Sequence, residues 1–332
     1  MMKRRQLKFD ARRHLSGKYG DALGVAVVTS LIGSAASIAV SMTSGKFYPA
    51  FQLPFMDGLS GLGDQEVTYG ELVEWLADYL ARFRVSLPLI AVGALIGLIV
   101  TTLYKILVGN VISVGRGRWY LRAAHNDVAP PFSLIFTLFR KGQYGKAVGG
   151  MLWMSIWLFI WSVIPSLIFL AGLLPSQLVL FHVLLNRSAP TQGLLLRLAK
   201  QYGLPLFVFG LPMFLISMLL SLIMTLVLIR KRYSYRLVPY LLADNPSLGG
   251  RRALKLSKAM TRGSKWKLFM LDLSFIGWIL LCLLCICFPW VTLFLFAPYY
   301  YMTWAEAYKA LRDQAAARGL IRMEELGYVR VN

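Results

Sequence analysis

Chemistry in an apolar sequence is sought first at its ionisable residues, and this 332-residue chain places two of them inside long hydrophobic runs. Lys105 falls within 87–111 and Asp272 within 268–287. A carboxylate in hydrocarbon is costly, so Asp272 is the leading candidate for a functional intramembrane group, with Lys105 as the cation that could pair with it. The bland reading stands beside it: Asp272 follows Lys267 by little more than a turn and could reach the headgroup layer, where Lys105 could snorkel as well. Two polar clusters, His125-Asn126-Asp127 and Asp244-Asn245-Pro246, have the residue types of turns and caps. Gathered in one pocket, His125, Asp127 and Asp244 could hold a metal for headgroup hydrolysis. Cys282, Cys285 and Cys287 share one apolar segment with no histidine nearby, which points to packing rather than to a disulfide or a metal site. HExxH, GxSxG and phosphate-loop motifs do not occur. No nucleophile or general base is nominated, so the expectation is a non-enzyme with no cofactor and no metal.

Such residues must be positioned by helices in lipid. Hydrophobic residues make up 57% of the chain and charged residues 15%, with mean hydropathy +0.59, whereas a soluble domain is roughly 25% charged. The pattern predicts an all-α fold: one integral membrane domain, a multi-pass membrane helical bundle of about six spans paired as three hairpins. The spans are 22–42, 87–111, 148–173, 204–229, 268–287 and 289–304. The last two divide an apolar run too long for one ordinary span, with Phe288-Pro289 as the turn; a single tilted helix is the alternative and would put the C-terminus outside. Residues 43–86 read as an outer loop carrying an amphipathic helix with Glu71, Glu74 and Asp78 on one face, 174–203 as a second outer segment, and 305–332 as a cytoplasmic tail. With that threading, 29 of the 36 Lys and Arg lie inside and 6 outside, which sets the N-terminus, and less strongly the C-terminus, in the cytoplasm.

Each hairpin is preceded by a cytoplasmic amphipathic segment that is expected to lie in the membrane interface. The first, 1–20, carries Arg12 and Arg13 opposite Leu7, Ala11, Leu15 and Tyr19. The second sets Phe132, Ile135, Phe136 and Phe139 at helical spacing and closes with Arg140 and Lys141. The third, within the basic segment 230–267, places Ala253, Leu256 and Met260 opposite Arg251, Arg252, Lys255, Lys258 and Arg262, and leads to Trp266, an indole suited to the headgroup layer. These cations and Trp266 are the expected lipid contacts. A net charge of +21 clustered beside spans points to the bilayer and its anionic phospholipids, not to nucleic acid, for which no recognition module is present. Gly17-Lys18-Tyr19, Gly142-Gln143-Tyr144 and Gly263-Ser264-Lys265-Trp266 repeat one local design at the entry to three spans, as internally repeated membrane folds do. A cytoplasm-to-span junction that simply favours Gly, an aromatic and a cation would look the same.

RYSYRLVPYLLADNP, ALKLSKAMTRGSKWKLF, LDLSFIGW and APYYYMTWAEAYKAL, with the opening LKFDARRHLSGKYGDAL, carry a resemblance. The chain resembles a family of integral membrane proteins of Gram-positive bacteria catalogued as a domain of unknown function, number nine-seven-five. The likeness is specific at both ends and weak from 166 to 229, which looks like an insertion. It implies a multi-pass membrane protein and brings no reaction, substrate or site residue.

The function expected is that of an envelope scaffold or regulator in the cell membrane, contacting anionic lipid and a membrane-protein partner. The rival is a small-molecule or lipid transporter with a polar midplane cavity around Asp272.

Overall fold

The computed structural model describes residues 4–47, 91–140, 142–185, 200, 203, 206–278 and 289–328. Among them the regular structure is helical, with no strand. In chain order the helices are α1 (Arg4–Leu15), α2 (Tyr19–Phe47), α3 (Ala91–Ala123, with a π-helical turn at Lys105–Gly109), α4 (Tyr144–Leu185), α5 (Leu211–Tyr235), α6 (Val238–Asp244), α7 (Gly250–Met260), α8 (Lys265–Leu273) and α9 (Pro289–Ala317). Short 3-10 helices lie at Phe132–Phe139, Pro246–Leu248 and Met323–Leu326.

Four stretches among the described residues are long and apolar enough to cross a membrane: Tyr19–Ser41, Ala91–Ala123, Tyr144–Pro175 and Val208–Asp244. At 1.5 Å per residue even the shortest, with 23 residues, exceeds the roughly 30 Å hydrocarbon core. The first four expected spans fall on these helices. The fifth runs beyond the described residues at 279–287, and the sixth lies in α9; neither appears among the four, so the six-span hairpin arrangement is not shown. The loop at 48–86 and the three cysteines also fall outside the described residues.

The chain divides into two compact units, residues 1–35, 103–160 and 228–332 in one and 36–102 and 161–227 in the other. In the second unit most of the α5 surface is exposed, Phe209 just before it by 73%, while Phe214, Ser217 and Ser221 share one covered face, as for a helix whose solvent is largely lipid. Ser221 Oγ donates to Pro165 O at 3.0 Å and Ser166 Oγ to Ser162 O at 3.0 Å, which satisfies backbone beside a helix-interior proline. α4 continues through Pro165 and Pro175 to Leu185, past the expected end at 173. A Cβ on Gly97 would meet Val40 Cγ1 at 2.9 Å, whereas one on Gly93 would meet nothing within 4 Å among the described residues.

The first unit holds the core, built from α1, the C-terminal turns of α3, α6, α7, α8 and α9, with Trp119, Tyr120, Leu237, Leu241, Leu268, Phe275, Trp304 and Tyr308 fully buried. The buried rings keep polar partners: Trp119 Nε1 donates to Pro130 O and Tyr120 OH to Ala22 O, at 3.0 and 2.8 Å.

Here the structure departs from the sequence reading in two ways. The apolar stripes assigned to the interface are spent on protein: Leu7, Ala11 and Leu15 of α1 and Ala253, Leu256 and Met260 of α7 are buried in the core. And 132–139 is a 3-10 helix that buries Leu134, Ile135 and Leu138, while Phe132, Phe136 and Phe139 are exposed. Its backbone passes so close to α3 that a Cβ on Gly115 would sit 2.1 Å from Ile135 O.

The three glycine junctions share one backbone. Gly17, Gly142 and Gly263 have φ of +76°, +88° and +83°, the left-handed C-cap region that a Cβ disfavours. In each case a helix ends shortly before the glycine and α2, α4 or α8 begins two residues after it. The aromatic is displaced by one residue at the third junction; the turn is not.

Candidate functional site

α9 organises the polar chemistry of the core. Tyr299, Tyr300 and Tyr301 are consecutive on a helix and therefore point about 100° apart, and each receives an arginine from a different element. Arg12 of α1 lies 5.3 Å from the Tyr299 ring centroid and Arg116 of α3 lies 4.0 Å from that of Tyr301, donating to its hydroxyl at 3.1 Å. Arg236, in the turn between α5 and α6, donates to Tyr300 OH at 2.5 Å and packs over Trp304 at 4.6 Å. Such cation–ring contacts are worth about 0.5–1 kcal/mol when exposed and about 2 when desolvated.

Asp272 sits at the foot of this array, at the end of α8. Tyr233 OH donates to Oδ2 at 2.7 Å, and Trp304 Nε1 and Tyr300 OH donate to Oδ1 at 3.0 and 3.1 Å. One half-buried carboxylate thus ties α5, α8 and α9. Lys105 is exposed on α3 and is not among these donors, so the expected Lys105–Asp272 pair gives way to two tyrosines and a tryptophan, with the cation supplied by Arg236.

A second carboxylate, Asp244 at the end of α6, accepts from Tyr308 OH at 2.6 Å and Tyr328 OH at 3.3 Å; Arg312 donates to Tyr328 OH at 2.5 Å. Burial, and then the Asp244 charge, push the Tyr308 hydroxyl well above its usual range and that of Tyr328 up to about 12. Glu306 of α9 meets His14 Nδ1 at 2.8 Å and Lys309 at 3.4 Å. Lysines also close the end of α3: Lys18 Nζ donates to Ala123 O at 2.8 Å and to Asn126 O, and Lys309 Nζ to Ala124 O at 2.9 Å. Cations there complement the negative end of the helix dipole.

His125, Asp127 and Asp244 do not assemble into a metal pocket. His125 Nδ1 is 2.7 Å from Leu121 O, and Asp244 is held by its two tyrosines. Among the described residues no group of three His, Cys, Asp or Glu is placed to hold a metal ion.

The expected lipid contacts line up on the outside. Arg12, Arg13, Arg140, Arg251, Arg252, Lys255, Lys258 and Arg262 are exposed, and Trp266 is 68% exposed; Lys141 is outside the described residues. Arg251 packs over Trp153 at 5.0 Å, and Arg252 makes a fork to Glu325 at 2.7 and 3.1 Å that draws the Glu325 carboxyl below its usual range. Crowding shows in the lysines: burial first, and then neighbouring cations, lower Lys8 beside Arg12 and Arg4, and Lys265 beside Arg230, Lys231 and Lys258.

Sequence reasoning singled out Asp272 and Asp244 but missed the tyrosine–arginine array and the rings that hold the two carboxylates. The signal for the array was APYYYMTW, three hydroxyl-bearing rings in a row where a span should end. A family model described as a protein of unknown function (DUF975) matches residues 1–315, and no curated protein or solved structure matches the chain.

Proposed function

The chain belongs to the DUF975 family, and from that premise we propose that it is a non-enzymatic multi-pass protein of the cell membrane. It serves as an envelope scaffold or as the regulator of a membrane-protein partner, with both termini cytoplasmic and its cationic face on anionic phospholipid. The observation that carries this reading is the disposition of charge. Arginines and lysines of α1, α7 and the 132–140 segment are exposed on a chain of net charge +21, while the apolar faces of α1 and α7 are spent inside. The contact is therefore one of side chains with headgroups rather than of helices sunk among acyl chains. Each basic residue near an anionic leaflet contributes roughly 1 kcal/mol, so even a few give strong, salt-sensitive attraction.

Full-length protein in nanodiscs of mixed neutral and anionic lipid should enrich the anionic species at low salt and lose the enrichment at high salt. Equal recovery of both lipids at every salt concentration refutes the reading. The transporter alternative assigns Asp272 a coupling role, and three donors already engaged on that carboxylate count against it.

A further inference from the structure

We propose that the cleft between the C-terminal end of α1 and the facing side of α9 binds one anionic phospholipid, its phosphate on Arg12 and an acyl chain along the aromatic wall. This deepens the lipid-contact reading above and rests on it. The cleft holds about 600 Å³, within the roughly 300–1,000 Å³ of small-ligand sites. Arg12, Gly17 and Tyr19 form one side; Trp278, Phe296 and Tyr299 form the other.

The wall is built rather than incidental. Trp278 stacks on Phe296 with centroids 6.3 Å apart, and Tyr299 meets Phe296 edge-on at 6.2 Å. Trp278 nonetheless stays 47% exposed, a large ring held in place with one face uncovered. Among the described residues Arg12 is the one charged side chain lining the cleft, and no carboxylate lines it. Among the described residues Arg12 has a ring contact with Tyr299 and no ion pair. Lys8, one turn earlier, lies 4.1 Å over Phe275 and adds positive potential.

That combination selects the occupant. A free phosphate would satisfy Arg12 and leave the aromatic wall wet; a neutral lipid would cover the wall and leave the guanidinium without an anion. A lipid with a phosphate head and a net negative charge does both. Its source is at hand, since α2, which opens at Tyr19, is one of the helices long and apolar enough to cross the bilayer.

The test uses the full chain, delipidated in mild detergent and titrated with phosphatidylglycerol or phosphatidylcholine while bound lipid is counted by native mass spectrometry. One phosphatidylglycerol per chain should be retained in preference to phosphatidylcholine. Arg12→Gln should weaken that retention about fivefold, the equivalent of roughly 1 kcal/mol for one basic residue, and leave phosphatidylcholine unchanged. Leu295→Trp, which fills the cleft, should abolish the single-lipid step for both, with thermal unfolding confirming that each variant is folded. Arg318→Gln, an exposed change just after α9 and away from the cleft, should leave that step intact. The proposal is overturned if Arg12→Gln and Leu295→Trp retain phosphatidylglycerol as the wild type does, if Arg318→Gln weakens it as much as Arg12→Gln, or if inorganic phosphate displaces it. Should nanodisc enrichment persist in such a case, the cleft alone is wrong; should enrichment be absent as well, the lipid-contact reading fails with it.

Discussion

Removing the Asp272 carboxylate should loosen the junction of α5, α8 and α9 more than any other single polar change in the core. In Asp272→Ala the hydroxyls of Tyr233 and Tyr300 and the Trp304 indole N–H, now 2.7, 3.1 and 3.0 Å from its oxygens, all lose their acceptor. Hydrogen bonds to a charged group are worth about 1.5–3 kcal/mol each. The site is half-buried, so water recovers part of the loss and leaves a net destabilisation of about 2–4 kcal/mol. Asp272→Asn keeps one acceptor oxygen but turns an NH2 toward a donor, and should cost about 1–2 kcal/mol. The assay is denaturant unfolding in mixed micelles, followed by tryptophan fluorescence, with a double-mutant cycle against Tyr233→Phe. A coupling of about 1 kcal/mol or more is expected for residues in direct contact. If Asp272→Ala stays within about 0.5 kcal/mol of wild type, or if the two changes are additive, the carboxylate is not the tie described.

Other expectations follow from close approaches and from charge. Gly115→Ala places a Cβ 2.1 Å from the Ile135 carbonyl oxygen, a backbone atom that cannot swing away; the 132–139 segment should be displaced at a cost of about 1–3 kcal/mol or more, read as faster proteolysis there. Gly17→Ala and Gly263→Ala force a Cβ into φ of +76° and +83° and should each cost about 1–2 kcal/mol, visible in thermal unfolding, although neither site is crowded. Glu325 is held below its ordinary value of 4.5 mainly by its hydrogen bond from Arg252. Its contribution is therefore present above pH 4.5 and is lost as pH falls through the lower folded value. Hydrogen exchange in 323–326 should rise in that acid window for the wild type and lose the pH dependence in Arg252→Gln.

What could be read from one sequence was whatever repeats locally. The apolar runs behind α2, the N-terminal part of α3, α4 and α5 announce themselves by length, and the helix 250–260 by its stripe. The glycine junctions at 17, 142 and 263 were legible because a left-handed turn leaves one residue type behind. What a stripe faces is not local information. Leu7 and Leu256 carry the same periodicity whether lipid or protein covers them, and the structure gives both to protein. Asp272 was legible as an anomaly, but its partners lie 28 to 39 residues away in sequence and are tyrosines and a tryptophan, not the lysine that charge pairing alone suggested. The 3-10 winding of 132–139 was hidden for a related reason: in eight residues, periods of 3.0 and 3.6 select overlapping apolar sets.

The most direct test of the whole account is which side of the membrane its cationic helices occupy. With Cys282, Cys285 and Cys287 replaced by serine, single cysteines at Arg13, Lys258, Arg318 and Gly61 would be challenged with a membrane-impermeant maleimide in intact and permeabilised cells. The account predicts that the first three react only after permeabilisation and that Gly61→Cys reacts in intact cells. Lys258→Cys and Gly61→Cys reacting on the same side would contradict it.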